Sequence, residues 1–315
     1  PKLPPQTVIT GYIRSRFKGC KTTLIYSGRT PEMASKTATN VATFVQRTVG
    51  DAAVSSGARM VRVRIDGVEH DVDIEYRALG ASETTREPLT DLAGETHTPE
   101  RWQAIRQITN EHGKKSRPGV AWVESSQQMV QCESRTELKA LTLLEFEGGV
   151  WAITPQPFRL IFGKSRKPSH HVPDFFIRYD DGSGVVVNVK PQHRITSPAT
   201  AKQFRVTEEV CEQAGWQHRV VTTLPDYLQS TLHLLAGYRR APVHTDLVLP
   251  AAFELLTGNP QPINAAAREI ASRVDLPAAL VMPALMHALW THDIKFTFTE
   301  PLDSTTVISL PEDPR

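Results

Sequence analysis

Hydrophobic and polar positions alternate with a period of two over residues 59–79. Met60, Val61, Val63 and Ile65 lead to Asp66-Gly67, and Val68, Val72, Ile74 and Tyr76 follow. An Asp-Gly pair between two alternating runs predicts a β-hairpin closed by a two-residue turn. Upstream, Pro31 followed by Ala34, Ala38, Val41, Ala42 and Val45 predicts a helix over residues 30–49. Residues 80–99, rich in Thr, Glu, Gly and Pro, read as a surface linker. Residues 102–112 read as a short helix and 120–129 as a strand. Residues 133–146 read as an amphipathic helix on Leu138, Leu141 and Leu144, ended by Gly148-Gly149.

Strands follow at 150–153, 158–162, 172–179 and 185–189, then a helix at 198–214, a strand at 217–222 and a helix at 228–238. The unbroken valine run 185–187 predicts a strand buried on both faces. Helix, four strands, helix, strand and helix describe a mixed sheet flanked by helices, an α/β core. After Arg239-Arg240-Ala241-Pro242 the pattern changes. Helices at 247–257, 264–274 and 277–291 precede two short alternating runs at 295–299 and 306–309, the outline of a winged helix-turn-helix. The expected organisation is an α+β segment of unassigned role over 1–100, an α/β domain over 101–242 and a winged-helix domain over 243–315.

Composition narrows the classes. The 315 residues are 40% hydrophobic and 22% charged, an ordinary globular mixture. No apolar run reaches the roughly 18 residues of a membrane span, and the Pro1-Lys2-Leu3-Pro4-Pro5 start lacks a secretory core, so a cytoplasmic protein is expected. A net charge of +2 leaves any nucleic-acid argument to local charge. Cys20, Cys132 and Cys211 are far apart and form no CxxC pair, against a disulfide framework or a structural zinc site.

The chemistry-bearing stretch is His170-His171-Val172-Pro173-Asp174-Phe175-Phe176, followed by Val187-Asn188-Val189-Lys190. An acid opens one strand and a lysine closes the next, while a second acid, Glu137, stands on the preceding helix. Hydrolysis of a phosphodiester at neutral pH calls for a cation that polarises the phosphoryl group and activates water. Mg²⁺ is typically held by one or two carboxylates and its own waters, and Glu137 and Asp174 supply two. Lys190 can orient the water or stabilise developing charge. Strand alternation puts Asn188 and Lys190 on one face, with Val187 and Val189 turned to the other.

These residues resemble the PD-(D/E)xK superfamily of restriction-endonuclease-like nucleases, and more closely the TnsA endonuclease subunit of heteromeric transposases. The segment SRTELKALTLLEFEGGVWAITPQPFRL is similar to that family's helix-and-strand block, HHVPDFFIRYDDGSGVVVNVKPQ to its HxPDF…VxVKP block, and LLAGYRR to the end of its nuclease domain. The resemblance covers roughly residues 110–240 and implies a restriction-endonuclease-like fold with Glu137, Asp174 and Lys190 as catalytic residues. It implies a Mg²⁺-dependent DNA endonuclease, with Mn²⁺ a possible substitute, that nicks the 5′ ends of a mobile element. A TnsB-like DDE transposase and a TnsC-like ATPase are the implied partners, with double-stranded DNA as substrate. The usual acid two residues before the lysine is Asn188 here, so the metal would lean on Glu137, Asp174, the Val189 carbonyl and a single Asn188 oxygen.

Other candidates are auxiliary. Gln156 is expected to help position the site. Lys114, Lys115, Arg117, Lys164, Arg166, Lys167 and His171 are candidate DNA contacts. Arg14, Arg16, Lys18 and Lys21, interleaved with Tyr12 and Phe17, read equally as a nucleic-acid or partner-binding arm. The third C-terminal helix is almost free of basic residues, which favours a protein-contact role for that domain over groove reading. Two further readings stay open: a restriction or defence nuclease of the same fold, and a non-cutting DNA-binding scaffold.

Overall fold

The computed structural model describes residues 58–106, 117–163, 168–195, 197–297 and 299–311. The expected helix at 30–49, the basic arm at 12–21 and Cys20 lie outside these residues. The hairpin is as the alternation predicts: β1 (Arg62–Ile65) pairs antiparallel with β2 (Val68–Ala78), and the turn residues Asp66 and Gly67 have φ of 51° and 81°. Positive φ at both positions is what a tight hairpin turn with the right twist requires, and Asp-Gly tolerates it.

The expected linker at 80–99 lies largely at the surface, but it also adds a strand to the sheet and two side chains to the core. Its Thr85–Pro88 stretch is β3, paired with β2, and Leu89 and Ala93 are fully buried just after it, with Ala93 opening the short helix α1 (Ala93–Thr96). The helix expected from residue 102 is absent over 102–106: Trp102–Gln103 form β4, which pairs with the end of β2. Here sheet pairing and the stacking of Trp102 on Tyr76, with ring centroids 4.0 Å apart, override a short apolar spacing. The single strand expected at 120–129 is a hairpin of β5 (Gly119–Val123) and β6 (Gln128–Cys132), followed by α2 (Arg135–Phe146). Gly148 and Gly149, both at positive φ, end α2 as expected.

Two sheets follow from the next strands. β7 (Val150–Pro155) leads directly to β8 (Phe158–Phe162), then β9 (Ser169–His171), β10 (Phe175–Tyr179), β11 (Gly184–Val189) and β12 (Gln217–Val221). One sheet has the order β12-β11-β10-β7, parallel between β11 and β12 and antiparallel elsewhere. The other has the order β1-β2-β8-β9, so strands of the expected N-terminal segment and of the expected α/β domain share one sheet. All six residues of β11 are buried, as its valine run predicts. Val185, Val187 and Val189 pack with α2 and the β5–β6 hairpin, whereas Val186 faces β2, β8 and the helix α4. The turn after β11 is α3 (Gln192–Ile195), and α4 (Pro198–Gln213) follows, capped by Ser197. The helix α4 covers the second face through Val206, Val210, Cys211 and Ala214.

After α5 (Asp226–Leu235), a C-terminal unit comprises α6 (Thr245–Leu256), β13 (Gln261–Pro262), α7 (Ile263–Val274), α8 (Ala278–Trp290), β14 (Lys295–Phe296) and β15 (Val307–Ser309). Its strands form an antiparallel sheet in the order β13-β15-β14. Asp275 takes the left-handed conformation, with φ 52°, between α7 and α8. The three helices bury one stripe each around Leu255, Ile270, Leu285 and Leu289.

The end of α2 plugs into this unit. Phe146 is 1% exposed, lies edge-on to Trp290 at 5.3 Å and to His292 at 4.5 Å, and its carbonyl accepts a hydrogen bond from His292 Nε2 at 2.6 Å. Beside it, Arg239 pairs with buried Glu145 at 3.1 Å and lies over the Trp290 ring. Truncating a buried phenylalanine removes its transfer free energy and leaves a cavity. Phe146→Ala is expected to lower unfolding stability by about 3–5 kcal/mol. Urea denaturation checks this, and a loss under about 1 kcal/mol would show that the helix is not anchored there.

Candidate active site

Asp174 stands one residue before β10, where three strands converge on it. Its N–H donates to Val187 O at 3.0 Å, and its carbonyl accepts from Gln156 N at 2.9 Å. Its Oδ2 accepts from Val189 N–H at 2.6 Å. The carboxylate is thus bound to the end of β11, one residue before Lys190. Lys190 N–H donates to Val221 O at 3.0 Å, which fixes the lysine where β11 and β12 end together. The Lys190 charge acts on Asp174, pulling its pKa down against a larger upward push from burial; the net direction is up.

Glu137 arrives from α2, where local chemistry explains its placement. Ser134 caps the helix: its Oγ accepts from Glu137 N–H at 3.2 Å and donates to Glu137 Oε1 at 2.7 Å. Glu137 Oε2 accepts from Glu133 N–H at 2.8 Å. This is a variant of the capping box, with Glu137 reaching the N–H one residue before the cap, and is a sufficient structural reason for a glutamate at the position. What a cap alone does not call for is its setting. Glu137 is 8% exposed, and its pKa is pushed up to about 7, first by burial and then by the negative charge of Asp174. Cys132, fully buried, feels both carboxylates, and its thiol is pushed up to about 12, too high to ionise at neutral pH. Glu137 thus feels the charge of Asp174, and Asp174 feels that of Lys190.

Asn188 has a different setting from the one expected of a metal-facing residue. It is fully buried, and its Oδ1 accepts from His171 Nε2 at 2.9 Å while its Nδ2 donates to His218 Nε2 at 2.8 Å. The far nitrogen of His171 contacts the amide of Gln203 on α4. Both imidazoles are held neutral by burial, with pKa values lowered to about 4. The chain Gln203–His171–Asn188–His218 ties β9, β11, β12 and α4 together, and the amide that would reach a cation is spent on it.

The remaining candidates separate. His170 is exposed and His171 buried, opposite faces of β9 as adjacent strand residues must be. Gln156 is 2% exposed and takes a positive φ of 43° while its backbone bonds Asp174 on one side and Ile105 on the other. Its Oε1 is buried without a protein partner. Arg117 is exposed; Lys114, Lys115, Lys164, Arg166 and Lys167 lie outside the described residues. Glu145, the other acid buried on α2, is occupied by Arg239 and by the Glu124 N–H at 2.6 Å. Two further charged groups act on Asp174. Glu133 raises and Arg106 lowers its pKa, and they form a loose pair at 3.7 Å. Neither carries a motif.

Among the described residues no three His, Cys, Asp or Glu side chains are grouped to hold an ion. Two carboxylates that are both lifted by burial still fit a hard cation that keeps its waters and shares a phosphate. Residues 149–223 match the family model described as TnsA-like endonuclease N terminal, so this part of the chain is similar to the TnsA-like endonucleases. The match runs from β7 through β12 and includes Asp174, Asn188 and Lys190; Glu137 precedes it. No curated protein matches the chain. No helix among the described residues is long and apolar enough to cross a membrane.

Glu137 binds its proton more tightly in the folded chain than in the unfolded one. Its contribution is therefore most favourable below about pH 4.5, the unfolded value, and is lost as pH rises through about 7. In metal-free buffer the wild-type chain should lose stability between pH 5 and 8, and Glu137→Gln should remove roughly 1–3 kcal/mol of that loss. Unfolding free energies across this pH range check the sign. Parallel pH profiles for the two proteins would contradict it.

Proposed function

We propose that this TnsA-like endonuclease is a divalent-cation-dependent DNA nuclease subunit of a heteromeric transposase, cutting the 5′ ends of a mobile element in cut-and-paste transposition. The observation that supports the reading is the electrostatic coupling of buried Glu137, on α2, to buried Asp174, before β10, with Lys190 acting on Asp174. Two buried carboxylates in mutual repulsion are unfavourable for the fold alone, and a cation between them reverses the sign.

Glu137 and Asp174 are the residues that would hold Mg²⁺, or Mn²⁺ in its place, with the Val189 carbonyl as a backbone ligand. When bound, the ion supplies charge neutralisation and a more acidic water. The chain's own groups do the positioning. The Val189 N–H fixes one oxygen of Asp174 and leaves the other for the ion. The capping box fixes the direction of Glu137. Lys190 supplies hydrogen bonds to the phosphoryl oxygens as negative charge grows on them. Water attacks phosphorus and loses a proton, the bond from phosphorus to the leaving sugar oxygen breaks, and that oxygen gains a proton.

The C-terminal unit is read as a winged helix, on the strength of its three helices and small three-stranded sheet. Its third helix buries Val281, Ala284, Leu285, Ala288 and Leu289 and carries no lysine or arginine. That favours contact with protein, a TnsB-like DDE transposase or a TnsC-like ATPase, over reading of the major groove. Phosphate contacts fall to the basic stretches at 114–117 and 164–167. The commitment of Asn188 to two histidines is the one observation that favours a non-cutting scaffold subunit, because it removes a ligand from the site.

Asp174→Ala decides between them. The variant is expected to keep its fold, with a loss of about 1–3 kcal/mol from the orphaned Val189 N–H. Cleavage at the element's 5′ ends is expected to fall by at least about 10²-fold. Nicking of end-containing duplex DNA in Mg²⁺, with the partner subunits present, is the measurement. Undiminished cutting by the variant would reject the assignment.

A further inference from the structure

The backbone next to Arg106 is tied to the strand end that carries Asp174. Ile105 N–H donates to Gln156 O at 2.9 Å, and Gln156 N–H donates to Asp174 O at 2.9 Å, so Arg106 is one residue away from a hydrogen-bonded string that ends at Asp174. The strained left-handed φ of Gln156 makes both bonds possible from a single residue. Upstream, the segment is tied down twice more. Trp102 pairs in β4 and stacks on Tyr76. Glu100 forms a buried ion pair with Arg178 at 3.1 Å, their side chains 2% and 7% exposed.

From this fixed base the guanidinium extends to Glu133 Oε1 at 3.7 Å, and the Glu133 N–H is the group that holds Glu137 Oε2. Arg106 therefore bridges the surroundings of the two acids. Its own pairing is weak: 3.7 Å is beyond hydrogen-bond range, and the two side chains are 42% and 37% exposed. Other arginines of the domain are paired more closely, Arg178 to Glu100, Arg219 to Glu147 and Arg239 to Glu145, all with largely buried partners. An exposed guanidinium with a loose partner, anchored at its base, is poised to exchange that partner.

We infer that Arg106 is a DNA-phosphate ligand of the cleavage site, leaving Glu133 to grip a non-bridging oxygen of the strand seated on Glu137 and Asp174. The inference rests on the nuclease reading above. Charge balance supports it. A divalent ion cancels the two acids, and the phosphodiester then needs cationic partners, which Lys190 provides as a point charge and Arg106 as a planar fork suited to two phosphate oxygens. The charge of Arg106 is already felt at Asp174 and His171, lowering the pKa of each.

The test compares Arg106→Gln, Arg106→Lys and Glu133→Gln in the full chain. Affinity for an end-containing duplex is measured in Ca²⁺ across a salt series, and cleavage is measured in Mg²⁺. Arg106→Gln is expected to bind roughly tenfold or more weakly, with the salt slope reduced by about one and cleavage impaired further. Arg106→Lys should fall between it and wild type. Glu133→Gln should bind as well as wild type or better, because it frees the arginine. Wild-type binding by Arg106→Gln overturns the inference, and so does a loss in Glu133→Gln equal to that in Arg106→Gln, which would mark the pair as structural. A wild-type chain that binds the duplex yet never cuts it, even with the partner subunits present, defeats the nuclease reading while the affinity series still decides Arg106. A wild-type chain that does not bind the duplex overturns both.

Discussion

The repulsion between the carboxylates of Glu137 and Asp174 is the constraint on which the proposed site depends. Each group is buried, each has its pKa raised, and the charge of one opposes ionisation of the other. A fold seeking only stability would separate or neutralise them. This one invests structure in keeping them together: a backbone N–H from β11 on Asp174, a serine and a backbone N–H on Glu137, and a lysine beside them. Strain stored at a site and compensated by its surroundings is the usual mark of function.

The helix α2 connects this strain to the rest of the molecule. Its first turn holds Glu137, and its last residue, Phe146, belongs to the hydrophobic cluster of the C-terminal unit. The same helix carries Glu145, gripped by Arg239 at the entry to that unit. The C-terminal helices thus help set the axial position of one of the two acids. A partner that moved them would act on the site through a rigid element and not through a loop. On the opposite side, the buried chain from Gln203 through His171 and Asn188 to His218 locks the end of β11, which carries Lys190.

Much of this was legible along the chain wherever one local period governs an element. The alternation in β2, the Asp-Gly turn, the valines of β11 and the leucines of α2 all lie where their spacing points. The acids and the lysine could be paired in sequence because a strand-opening Pro-Asp and a strand-closing lysine carry family motifs. The misreadings have a shared physical cause. Thr85–Pro88 is polar and short, and becomes a strand only because β2 offers it an edge. Trp102–Gln103 is drawn into the sheet by Tyr76. Asn188 could be placed on a strand face, but not given partners, because His218 and Gln203 come from elements later in the chain. Arg106 and Glu133 carry no pattern at all; only the folded backbone brings them to Asp174.

The most direct measurement is the titration of the Glu137 carboxyl itself, followed by carbon-13 NMR of the full chain in metal-free buffer. The account predicts a midpoint raised well above the ordinary glutamate value, to about 7, moving to lower pH when Mg²⁺ is added. A midpoint near 4.5, indifferent to the ion, would mean that the two acids do not share a site.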